Sequence, residues 1–80
     1  MVRNDELAHR KWSIDANKAA LIARKFLEQY HSLVIFRSSS LNNGMWDVAM
    51  EVGLLHEDVI VVRIDVETGK IQGYDHVLPP

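Results

Sequence analysis

The sequence predicts an α+β domain in which one amphipathic helix packs on a four-stranded antiparallel sheet, in the order α-β-β-β-β. Three observations lead to this fold class. One segment near the amino terminus has an apolar period of 3.6 residues, four later segments have strand patterns, and short turn signals separate those four. Short turns join neighbouring antiparallel strands, so we expect a meander with the helix across one of its faces.

The helix is predicted over "DANKAALIARKFLEQYH", residues 15–31, with Asp15 as a favourable N-cap residue. Its apolar side chains share one stripe and its charged side chains lie on the other side. The stripe consists of Ala16, Ala19, Ala20, Ala23, Phe26, Leu27 and Tyr30. Because four of these residues are alanines, we expect the helix to lie close to the sheet.

Four strands are predicted after the helix. The first is "LVIFRSSSL", residues 33–41, and "NNG" is the turn that follows it. The second, "WDVAMEVGL", residues 46–54, alternates with a strict period of two. After a connection at 55–58 come "VIVVRIDV", residues 59–66, and finally "KIQGYDHV", which continues to residue 77.

The turn between the last two strands contains Thr68 and Gly69. Glycine takes a positive φ without steric penalty, which a tight hairpin turn requires at a central position. A phosphate-binding loop would need several backbone N–H groups at a helix amino terminus, and no helix follows here. We therefore interpret Thr68 and Gly69 as a structural turn.

Eighty residues are enough for one domain, which we place at residues 15–78, after a polar segment at 1–14 that we expect to be flexible. The chain contains no cysteine, which excludes disulfides and thiolate metal sites. A domain of this size buries a smaller fraction of its surface than a larger one, so we expect self-association as an additional source of stability. No secretory signal or long apolar run occurs, from which we expect a cytoplasmic protein that does not contact membranes.

Charge is distributed unevenly along the chain. Residues 1–40 carry seven Lys/Arg against four Asp/Glu, a balance of +3, and residues 41–80 carry two against seven, a balance of −5. The total of −2 and the acidic second half argue against nucleic acid as a partner. A basic helix side and an acidic sheet side could steer contacts between proteins.

Residues that could support catalysis or metal binding are few. His56 and Asp58 lie in one short connection, and with Glu51 and His76 they form the best metal-ligand candidates. The spacings typical of zinc enzymes do not occur, and no G-x-S-x-G turn surrounds the serines at 38–40. We therefore predict no catalytic residues, no metal site and no cofactor.

The sheet face away from the helix is the better candidate for function. A single helix covers one face, so the other meets water or another protein. If Trp46 and Val48 face the helix, the opposite face carries Leu55, Val59, Val61 and Arg63. Its aliphatic end predicts a contact patch for a protein partner or for a second copy in a homodimer.

The helix "AALIARKFL", the strand "WDVAMEV" and the pair "VVRIDVETGKI" resemble the PepSY-like domains, small modules with a helix followed by an antiparallel sheet. In that family a strand ending in Val-x-Val-Asp precedes a Thr-Gly turn and an apolar residue. The matching positions here are Ile64, Asp65, Thr68, Gly69, Lys70 and Ile71. The resemblance implies a binding or peptidase-regulating module.

A second resemblance, to the gas vesicle accessory proteins of the O type, covers the same region. It involves a W-x-V-x-x-E-V strand and a closing hairpin. The matching residues are Trp46, Val48, Glu51, Val52, Asp65, Gly69, Ile71 and Tyr74. Our hypothesis from the sequence is a non-catalytic binding or assembly module. The alternatives are an accessory protein in gas vesicle assembly and a metal-dependent protein that uses His56 and Asp58.

Overall fold

The computed structural model describes residues 14–53 and 58–77, which form one helix followed by four strands. The elements are α1 (Ala16–Leu27), β1 (Val34–Asn42), β2 (Met45–Val52), β3 (Asp58–Asp65) and β4 (Ile71–Val77). The strands form one antiparallel sheet in the order β1-β2-β3-β4, and α1 packs across β1, β2 and β3. The predicted α+β fold is confirmed. The polar segment predicted at 1–14 lies, apart from Ile14, outside the described residues.

Helix α1 begins where the sequence predicts and ends earlier. The side chain of Asp15 caps it by accepting a hydrogen bond of 2.8 Å from the backbone N–H of Lys18. The prediction that the helix extends to His31 is wrong, because regular α1 stops at Leu27. Beyond it the chain tightens, and the N–H of Tyr30 donates to the Leu27 carbonyl at 3.0 Å. Tyr30 is 68% exposed, so this end of the apolar stripe is not buried against the sheet.

The core lies between α1 and the central strands. Its buried residues are Ala19, Ala23, Leu27, Val34, Val48, Met50, Val52, Ile60, Val62 and Ile64. On β2 and β3 they alternate with half-buried residues, which is the expected pattern for a sheet covered on one face. Ala19 and Ala23 are fully buried, so the helix backbone approaches the sheet closely, as the alanine stripe predicts.

Ile14, two residues before α1, connects the start of the helix to the sheet. The N–H of Ile14 donates to the Val66 carbonyl at 2.7 Å, and Nε1 of Trp46 donates to the Ile14 carbonyl at 2.6 Å. Both backbone polar groups of Ile14 are thereby satisfied within the fold. This pair of bonds holds the start of α1 over the end of the sheet where β2 begins and β3 ends.

Two irregularities interrupt the pairing of the edge strands. The register of β1 against β2 shifts between Phe36 and Ser38, and that of β4 against β3 shifts next to Arg63 and Ile64. Each shift leaves one residue, Arg37 or Gln72, without a partner opposite it. A β-bulge of this kind bends the edge strand and increases its local twist.

Candidate functional site

The open face of the sheet, which α1 does not cover, is organised into rows that cross all four strands. Register places Ile35, Glu51, Val59 and Val77 opposite one another in the first row. The second row contains Ser38, Ala49, Val61 and Asp75. The third contains Ser40, Asp47, Arg63 and Gly73. The face therefore changes from aliphatic to charged along the strands.

The aliphatic end forms what we call the open-face patch, consisting of Ile35, Ala49, Val59, Val61 and Val77. Ile35 and Val77 are 38% and 45% exposed, and the other three are half-buried. Sequence reasoning had placed Val59 and Val61 in this patch. It missed Ile35 and Val77, which join them through cross-strand register that no local pattern encodes. Leu55, the remaining aliphatic candidate, lies outside the described residues.

Arg63 occupies the charged end of the open face. Its Nη1 donates to Oδ2 of Asp75 on β4 at 2.5 Å, and Asp47 lies opposite it on β2. The hydrogen bond to Asp75 and the attraction of both carboxylates raise the pKa of Arg63 above its ordinary value, so it carries a positive charge at every physiological pH. Arg63 thus lies between two carboxylates and next to the open-face patch.

A second ion pair sits at the other edge of the same face. Nη1 of Arg37, the bulged residue of β1, donates to Oε2 of Glu51 at 3.1 Å. Glu51 lies between Ile35 and Val59 in the first row, so its carboxylate interrupts the aliphatic surface. Exposed pairs of this kind contribute little to stability, about 0–1 kcal/mol. Their main effect is to place charge of both signs beside the patch.

The metal-ligand candidates are divided between the two faces. Glu51 is on the open face, whereas His76 lies opposite Ile60 and Asp58 lies opposite Val52, both on the helix side. His56 lies outside the described residues. Among residues 14–53 and 58–77, no group of three His, Asp or Glu side chains is arranged to hold a metal ion.

Thr68 and Gly69 form the β3–β4 turn. Gly69 has a φ of 78°, and its N–H donates to the Asp65 carbonyl at 2.9 Å. Oδ1 of Asp65 accepts hydrogen bonds from the N–H groups of Thr68 and Glu67, at 3.0 and 2.8 Å. These bonds hold the pKa of Asp65 below its ordinary value of 3.8, because they favour the carboxylate.

The turn also packs against the start of the helix. A Cβ added at Gly69 would lie 2.6 Å from Cδ1 of Ile14 and 3.5 Å from Cδ1 of Ile22. Glycine is therefore required at position 69 for two reasons. The φ angle is positive, and a Cβ atom there would overlap the side chain of Ile14. No part of this arrangement resembles an anion-binding loop.

An aromatic cleft on the helix side was not expected from the sequence. It lies between the end of α1 and β4, has a volume of about 220 Å³, and is lined by Phe26, Leu27, Tyr30, His31, Ile60, Tyr74 and His76. The ring of Phe26 is 5.7 Å from that of Tyr30 and 5.4 Å from that of Tyr74. Because α1 does not extend over β4, Tyr74 remains 51% exposed.

Comparison with protein-family models finds no match, and neither curated proteins nor solved structures yield one. Within the described residues, no helix combines the length and apolar character needed to cross a membrane. The fold and the two surfaces above are therefore the basis for any statement about function.

Proposed function

We propose that the chain is a non-catalytic binding and assembly module that acts through protein–protein contacts made by the open-face patch. The observation that carries the proposal is the first row of the open face. There Ile35 and Val77 remain exposed on either side of Val59, on a face that no described element covers. Aliphatic surface of this kind, bordered by charged groups, is typical of contact sites.

We propose that the partner on the open face is a second copy of the chain. Four strands about 4.8 Å apart and about eight residues long at ~3.3 Å per residue cover roughly 500 Å². Two such faces stacked together would bury roughly 1,000 Å², about the smallest area expected of a biological interface. The open-face patch would supply the apolar centre of that interface. Its polar rim would consist of Arg63, Arg37 and their acidic partners.

The chemistry of the described residues is consistent with a module that performs no catalysis. The shifted pKa values of Arg63 and Asp65 both arise from hydrogen bonds within the sheet and its turn. Neither group lines the aromatic cleft. The PepSY-like and gas vesicle resemblances, and a cytoplasmic location, stay predictions alongside this proposal.

The proposal is tested by replacing Val61, which lies in the centre of the open face, with glutamate. We expect the solution mass of Val61→Glu, measured by light scattering over a range of concentrations, to be half that of the wild type. Burying the new carboxylate without a partner would be unfavourable in the interface, whereas the isolated sheet leaves it in contact with water. Leu21→Glu, on the outer side of α1, is the matched control and should leave the mass unchanged, because Leu21 is 46% exposed there.

Two results would contradict the proposal. A wild-type mass of one chain at every concentration would show that the face does not bind a second copy. An unchanged mass for Val61→Glu would show that association uses another surface. Stoichiometric metal in protein purified without chelators would instead favour the metal-dependent alternative built on His56 and Asp58.

A further inference from the structure

Strand β4 is an edge strand whose outward backbone groups can be assigned from its pairing. The N–H of Asp65 donates to the Lys70 carbonyl at 2.9 Å, so the odd-numbered residues of β3 direct their N–H groups toward β4. Their register partners, among them Gly73 and Asp75, therefore direct their own groups toward β3. Tyr74 and His76 direct theirs away from the sheet, where no described strand pairs with them.

The side chains at this edge place opposite charges next to each other. A Cβ added at Gly73 would lie 2.9 Å from Nη2 of Arg63, so the guanidinium group of Arg63 extends over Gly73 into the space where a side chain would be. Two residues further along β4, Asp75 is 64% exposed. The open-face side of the edge thus presents a cation at position 73 and an anion at position 75.

We propose that β4 pairs with β4 of a second copy, antiparallel and about a two-fold axis at Tyr74. In this register Tyr74 lies opposite Tyr74 of the second copy, and Gly73 lies opposite its Asp75. Arg63, which covers Gly73, then meets Asp75 of the second copy, and the two-fold axis repeats this contact. The contact rests on the β4 edge and does not depend on the open-face patch.

Charge favours this register over its neighbour. Pairing centred on Asp75 would place two carboxylates directly opposite each other, which is unfavourable in antiparallel strands. Pairing centred on Tyr74 places no like charges opposite each other. The two Tyr74 residues also exchange two backbone hydrogen bonds, because each directs its N–H and C=O groups outward. Charge at the β4 edge therefore favours the alignment centred on Tyr74 over the one centred on Asp75.

The helix side of the same edge supports the pairing. Tyr74 is half exposed and its ring already contacts Phe26, at 5.4 Å between centroids. In the proposed dimer the two Tyr74 side chains become direct cross-strand neighbours, and such aromatic pairs stabilise antiparallel sheets. The product is a continuous eight-stranded sheet with both helices on one side. Its two open-face patches then belong to a single larger surface.

Cysteine cross-linking tests the register without ambiguity, because the chain has no native cysteine. In a hydrogen-bonded antiparallel pair the opposing Cα atoms are about 5.5 Å apart, within the range for a disulfide. We expect Tyr74→Cys to form a covalent dimer under mild oxidation at least ten times faster than His76→Cys. The matched control His76→Cys has its two sulfurs separated by about four residues of strand, or roughly 13 Å. Equal rates for the two variants would overturn the proposal.

Charge reversal provides a second measurement on the intact association. Asp75→Arg brings like charges together at the edge and should weaken self-association at least tenfold by light scattering. Adding Arg63→Asp to the same chain restores opposite charges and should return the affinity to within about threefold of the wild type. If the wild type and Asp75→Arg associated with equal affinity, the contact between Arg63 and Asp75 of the second copy would be contradicted. A thermal melt of Asp75→Arg that matches the wild type is the control that its fold is intact.

The two proposed contacts, open-face stacking and β4 edge pairing, can be tested independently. Val61→Glu halves the mass only if open faces stack, whereas Tyr74→Cys cross-links only if edges pair. When both contacts form, the wild-type assembly contains four chains and the Val61→Glu assembly contains two. Tyr74→Cys then still cross-links in the Val61→Glu background. Loss of the Tyr74→Cys cross-link in that background would show that the edge does not pair by itself.

Discussion

Replacing Gly69 with alanine should measure how firmly the β3–β4 turn is packed against the start of the helix. Gly69 has a φ of 78°, where an added Cβ costs roughly 1–2 kcal/mol. The new methyl group would also lie 2.6 Å from Cδ1 of Ile14. Two hydrogen bonds hold the Ile14 backbone, so the overlap must be relieved by rotating its side chain, at about 0.5–1.5 kcal/mol.

Gly44 offers a matched control, since its φ of 77° is nearly the same and an added Cβ there has no atom within 4 Å. We expect Gly44→Ala to lose roughly 1–2 kcal/mol of unfolding free energy and Gly69→Ala to lose about 1 kcal/mol more. In thermal melts an additional loss of that size lowers the midpoint by about 4–8 °C for a domain of this length.

A double-mutant cycle identifies the source of the difference. Ile14→Val removes the Cδ1 atom, so in that background Gly69→Ala should cost only what Gly44→Ala costs, within about 0.5 kcal/mol. Urea unfolding followed by Trp fluorescence supplies the four free energies. Equal losses for the two glycine variants in the wild-type background would refute the reasoning, because they would mean that Ile14 does not pack on the turn.

Two further predictions concern hydrogen bonds that anchor the same end of the molecule. Trp46→Phe removes the 2.6 Å bond to the Ile14 carbonyl and should lower the unfolding free energy by about 1–3 kcal/mol in urea, whereas an unchanged value would show that water replaces the bond fully. Asp65 has a lowered pKa, so its contribution to stability is fully present above its ordinary value of 3.8 and is lost as the pH falls through the folded-state pKa. Asp65→Asn should therefore be less stable than the wild type at pH 6 and should approach it near pH 2. A constant difference over that range would contradict the bonds to Glu67 and Thr68.

Much of the fold follows from local patterns in the sequence. The alternation from Trp46 to Val52 and the alanine-rich stripe of residues 16–27 each bury one side, so they determine a strand, a helix and the face by which they meet. The end of α1 was less predictable. The apolar stripe continues to Tyr30, but Tyr30 is 68% exposed and is not buried against the sheet, which depends on where the sheet lies.

The candidate surfaces depended more strongly on the tertiary structure. Sequence reasoning found Val59 and Val61 because they alternate on one strand, but it could not align them with Ile35 and Val77 on the edge strands. It also treated Tyr74 only as part of a family pattern, without its contact to Phe26. The alignment of the aliphatic residues is set by strand register, which the turns and the two bulges determine together, and the contact of Tyr74 with Phe26 is set by the packing of α1 on the sheet.

The sequence by itself determined the number, type and order of the elements and the turn at Gly69, because these depend on the period of apolar residues and on local backbone preferences. Only the tertiary structure decided that Arg63 lies over Gly73, that α1 leaves β4 uncovered, and that aliphatic residues of β1, β3 and β4 share one row. The physical reason is that such contacts join residues far apart in the chain. Packing brings them together, and the local pattern around each one is compatible with many different neighbours.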